Sequence, residues 1–158
     1  MKAQITSKPA FSVIGIEGSG KADEGPKWIE PLWERAHKRH AEVEHLVKPT
    51  GEAWGLMNDT DEYLAAWKEK GKYLAGWEMK TDRKPPAGWN VWKMPAQSYA
   101  VVACTMATYG EAYRYVVQQL LPTEGYVQAG AAHEFYPQDF RDIKKDTFYL
   151  YITVKKKA

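Results

Sequence analysis

The chain has 158 residues, the length of one domain that can bury roughly 70% of its unfolded surface. Lys and Arg total 22 against 20 Asp and Glu, a net charge of +2, too balanced for a dedicated duplex-DNA binder. With 44% apolar and 27% charged residues the chain is neither disordered nor membrane-embedded.

In chain order, the β-branched run over 11–16 predicts a strand. Residues 18–26 read as a loop, with Pro26 suited to a helix start. From Lys27, the spacing of Trp28, Ile29, Leu32, Trp33 and Ala36 is helical. Pro31 falls near the first turn, where a missing N–H costs little. Pro49-Thr50-Gly51 ends this unit. Strands are predicted over 52–57 and 73–79, joined by a polar connection over 58–72.

Residues 81–95, rich in Lys, Pro, Gly and Trp, read as a linker. Residues 97–105 alternate as a strand. Thr108 and Glu111 fit a capping box, and Tyr109, Ala112, Tyr113, Val116, Val117 and Leu120 have helical spacing. Pro122 to Gly125 ends that helix. Strands follow over 131–136 and 147–154, and the Lys155-Lys156-Lys157 tail is solvated.

The order strand–helix–strand–strand thus occurs twice. Trp28 aligns with Tyr109, Leu32 with Tyr113 and Trp54 with Glu134, at offsets of 81, 81 and 80 residues. The expected fold is one α+β domain over 1–158, built from duplicated β-α-β-β units (about 9–80 and 96–155). Its antiparallel sheet carries two main helices on one face, with a groove between the halves. Such grooves are where small-molecule pockets form.

Trp, Tyr and Phe make up 13% of the chain, an unusual supply of flat apolar surface. On a strand over 131–136, Glu134 shares its face with Ala132 and Tyr136. A carboxylate among rings is costly unless paired, and its affinity for a desolvated cation is high. Aromatic walls add cation–π attraction. The combination suits a flat, positively charged organic ligand.

Several other signals carry less. Gly15-Ile16-Glu17-Gly18-Ser19-Gly20-Lys21-Ala22 nearly spells a P-loop, but Ala22 stands where a hydroxyl must reach magnesium. His37, His40 and Glu44 lie on a heavily charged helix face and lack metal-ligand spacing, so no metal is expected. Lone Cys104 allows no internal disulfide and reads as a small buried apolar residue. Asn58-Asp59-Thr60 is a sequon in spelling only. No G-x-S-x-G elbow is present. Met1-Lys2-Ala3-Gln4 lacks a signal-peptide apolar stretch, and no stretch is long enough to span a bilayer. A reducing cytoplasm is the expected compartment.

The strand over 11–16, Tyr73-Leu74-Ala75-Gly76-Trp77-Glu78-Met79, Tyr99-Ala100-Val101-Val102 and His133-Glu134-Phe135-Tyr136 together resemble the GyrI-like small-molecule-binding domains. These include effector-binding domains of some AraC-type and multidrug-sensing regulators. The resemblance runs from about Phe11 to Val154. It implies an aromatic ligand groove with Glu134 at its centre and Tyr136 beside it. Trp54, Trp77 and Tyr113 are the further pocket aromatics it implies, with Trp28, Trp33, Met57, Tyr73 and Tyr109 as additional lining. No direct nucleic-acid contact is expected, since the ligand domain uses nearly all of the chain, and neither a cofactor nor a membrane partner is expected. The alternatives are a hydrolase of electrophilic compounds with Glu134 as base, and a protein-interaction or gyrase-protecting factor whose partner meets exposed Trp89 and Trp92.

Overall fold

A computed structural model describes residues 2–158. Its strands are β1 (Ala3–Lys8), β2 (Phe11–Lys21), β3 (Ala53–Asp59), β4 (Lys70–Glu78), β5 (Asn90–Met94), β6 (Gln97–Cys104), β7 (Tyr126–Tyr136) and β8 (Phe148–Lys156). They form one antiparallel sheet in the order β1-β6-β8-β7-β3-β4-β2-β5. Helix α1 (Gly25–Lys38) follows β2; α2 (Tyr109–Tyr115) follows β6 and runs through a π turn, Val116–Leu120, into α3 (Leu121–Glu124). The predicted α+β class and the duplicated strand–helix–strand–strand order are present.

The strand order is symmetric about the β7–β3 pairing. Two segments lie outside the predicted pattern. Residues ahead of the first repeat form β1, which pairs with β6 of the second. The expected linker contains β5, which pairs with β2 of the first. Each repeat therefore lends a leading strand to the edge of the other half. Lys, Pro and Gly around a five-residue strand hide its alternation, which is why 81–95 reads as linker.

The reciprocal pairing also buries the tryptophans of that segment. Trp89 is 3% and Trp92 6% exposed. The Trp89 indole N–H donates to Glu42 and that of Trp92 to Glu17. The exposed Trp pair that suggested a protein partner is thus packed inside the molecule.

Both helices lie on one face of the sheet. Leu32 and Ala36 of α1 and Ala112 and Val116 of the second helical segment are buried there with Ile14, Ala75, Val102, Leu150 and Ile152. Helical spacing puts these residues on one stripe, and burying that stripe supplies the helices' stability. Pro31 sits in the second turn of α1 on the exposed side, where the carbonyl it leaves free meets water. The capping box lies one turn earlier than expected: Thr105 and Thr108 cap each other around the turn Met106–Thr108.

The other sheet face has its own cluster: Val13, Trp54, Leu56, Leu74, Trp92 and Met94, flanked by Phe11, Leu64, Phe135 and Tyr151. The connection after β3 folds over it. Leu64 N–H is held by Asn58 Oδ1, and Asp59 accepts from the N–H groups of Asp61 and Lys68.

Candidate functional site

Alternation along β7 sends Glu134 and Tyr136 to the helix face and His133 and Phe135 to the other. Trp54 pairs with Phe135, whereas Glu134 lies opposite Gly55. The offset of 80 that aligned Trp54 with Glu134 therefore breaks face parity, because a one-residue slip reverses every side chain. Trp54 belongs to the second cluster, against Phe11, Phe135 and Tyr151.

Glu134 is 8% exposed. Its Oε1 accepts from the hydroxyls of Tyr73 at 2.6 Å and Tyr136 at 2.7 Å. The hydroxyl of Tyr109 faces the same carboxylate. Trp33 extends the chain, its indole N–H donating to the Tyr73 hydroxyl at 3.0 Å. Among the described residues, no ion pair includes Glu134.

Burial raises the carboxyl pKa of Glu134, and the tyrosine hydrogen bonds hold the rise in check. The three tyrosines are pushed well above the usual phenol range, first by burial and then by the Glu134 charge. They remain donors to the carboxyl group. Hydroxyls satisfy its lone pairs without neutralising it, so the arrangement is open to a cation.

Gly55 makes room for this cluster. A Cβ at Gly55 would stand 1.9 Å from the Tyr73 hydroxyl and 3.0 Å from Glu134 Oε1. The site is thus assembled across the repeats: Tyr73 and Gly55 from the first, Tyr109, Glu134 and Tyr136 from the second.

Outside the cluster opens a cavity of about 650 Å³. Trp33, Trp77, Tyr136, Phe140 and Ile143 form its apolar walls, with Glu30, Glu34, His37 and Arg141 among its polar lining. Trp33 meets Tyr136 and Trp77 edge-on, with ring centroids 5.4 and 6.5 Å away. Burial lowers the His37 pKa, helped by nearby His40, and both rings pack against Trp77.

Of the residues singled out from sequence, Glu134, Tyr136, Tyr73, Tyr109, Trp33 and Trp77 meet here. Trp28 lies instead against Trp67, with its N–H on the Lys21 carbonyl. Tyr113 donates to Gln128 at the β7 bulge. Met57 is half-buried beside Tyr73 on the neighbouring strand. Phe140 and Ile143 were missed; their signal is a pair of large apolar residues in an otherwise polar connection, and Ile143 is 41% exposed.

The model of the GyrI-like small molecule binding domain matches residues 1–155. The chain belongs to this family. It is 32% identical over 148 residues to the transcriptional regulator BrlR of Pseudomonas aeruginosa, covering 89% of this chain and 50% of BrlR; it spans half the length of that curated relative. The structure of SAV2435 bound to tetraphenylphosphonium superposes with a TM-score of 0.69 at 14% identity, covering 98% of this chain and 94% of the other. EcmrR in its DNA complex gives 0.68 at 18% identity, over 99% of this chain and 58% of EcmrR. These likenesses show the fold. Among the described residues no helix is long and apolar enough to cross a membrane.

Proposed function

We propose that this GyrI-like domain binds a lipophilic aromatic cation, taken up through the cavity beside α1 and neutralised by Glu134. One observation carries the reading: a buried carboxylate held by tyrosine hydroxyls, without a cationic partner among the described residues, behind an aromatic cavity. In a desolvated site a delocalised cation gains most from such a charge, because it gives up little hydration of its own. The ligand named in the SAV2435 structure is a cation of this kind, which supports the reading.

The role fits an effector-binding part. BrlR is a transcriptional regulator and EcmrR forms a DNA complex; the residues gathered here suit a ligand rather than a phosphate backbone. The test compares tetraphenylphosphonium with neutral triphenylphosphine oxide by equilibrium dialysis. The cation is expected to bind and the neutral compound to bind at least tenfold more weakly. Equal affinity for both would remove the charge from the account.

A further inference from the structure

Trp33 stands at the boundary between the cavity and the carboxylate. It lines the cavity together with Tyr136, while its N–H reaches inward to Tyr73, whose hydroxyl reaches Glu134. The indole is edge-on to Tyr136, Trp77 and Tyr73 and stacked on His37. The indole is thus a flat ring with a hydrogen-bond donor, packed among the site's aromatics and linked to its acid.

We infer that Trp33 is a resident competitor that lowers affinity, and must be displaced before a ligand reaches Glu134. This rests on the cation-binding reading above. The displacement costs the aromatic contacts and the hydrogen bond to Tyr73. That cost is common to every ligand, and a cation with rings of its own offsets it through its own contacts with the site's aromatics. Only the fraction of molecules with the indole moved aside is competent, and apparent affinity falls by that fraction.

The competitor differs from a stacking wall in its kinetics. Removing a competitor raises the association rate and the affinity by the same factor and leaves dissociation unchanged. Removing a wall speeds dissociation. Stopped-flow anisotropy of rhodamine 6G, which reports through the dye, separates the two. Trp33→Phe keeps a ring and removes the N–H; Trp33→Ala opens the passage. Both variants are expected to associate about threefold faster or more, with unchanged dissociation, and tetramethylammonium, read by displacement of the dye, should gain affinity by the same factor. Trp33→Phe, the conservative change, keeps the experiment informative should Trp33→Ala lose its fold. Faster dissociation or an unchanged association rate overturns the inference and leaves the Glu134 reading standing. Failure of wild type and variants alike to bind either the dye or tetraphenylphosphonium overturns both.

Discussion

The hydroxyl of Tyr73 in the first repeat donates a 2.6 Å hydrogen bond to Glu134 in the second. Each repeat alone would hold half a site. The sheet's central β3–β7 pairing puts Gly55 opposite Glu134 and lets Tyr73 reach across it. Duplication with a pairing at the centre therefore brings the buried carboxylate and its tyrosine donors together as well as producing the fold.

Gly55→Ala should break this contact. Its Cβ would collide with the Tyr73 hydroxyl, so the variant is expected to melt at lower temperature and bind tetraphenylphosphonium more weakly. Adding Tyr73→Phe removes the colliding oxygen and should recover part of the lost stability. Calorimetric melting of the single and double variants checks this; equal melting of Gly55→Ala and wild type contradicts it.

The buried pair Glu134 and His133 should give opposing pH dependences. The raised Glu134 pKa means the native state holds its proton more tightly than the unfolded chain. That contribution is present below the unfolded value of 4.5 and is lost as pH rises through the folded value. His133 is lowered by burial from 6.5 to about 4, its Nδ1 accepting from the Met57 N–H. It therefore contributes stability above pH 6.5 that is lost as pH falls toward 4, up to about 3 kcal/mol. Glu134→Gln leaves His133 unopposed, so urea unfolding of this variant should show steeper acid destabilisation than wild type. Parallel pH profiles would contradict the assignment.

Trp54→Ala separates the two faces of the sheet. The ring is 3% exposed in the second cluster, so its loss should cost about 3–5 kcal/mol of stability. Cation affinity should stay within about twofold of wild type at a temperature where the variant is folded. A tenfold loss of affinity in dialysis would place Trp54 in the binding site after all.

The strands that alternate cleanly, and the two helices with an apolar stripe, could be read from sequence, as could Glu134 among rings. The edge strands could not. Their pairing partners lie in the opposite repeat, and β5 is short and wrapped in Lys, Pro and Gly, so local composition pointed to linker. The resemblance implies a groove position for Trp54, but its register opposite Phe135 sends the ring to the other face, and an offset one residue off is invisible to repeat alignment yet decides the face. Gly55 carried no sequence signal, since its role is the absence of a side chain beside Tyr73. Phe140 and Ile143 sit in a connection whose closeness to Trp77 is set by tertiary packing.

Calorimetric titration of tetraphenylphosphonium into wild type and Glu134→Gln tests the central claim most directly, provided both proteins are folded. Wild type is expected to bind one cation per chain, more weakly as acid protonates Glu134, and Glu134→Gln at least about tenfold more weakly, a loss of about 1.4 kcal/mol or more, with that acid sensitivity gone. Equal affinity and identical pH dependence in the two proteins would show that the buried carboxylate plays no part in binding.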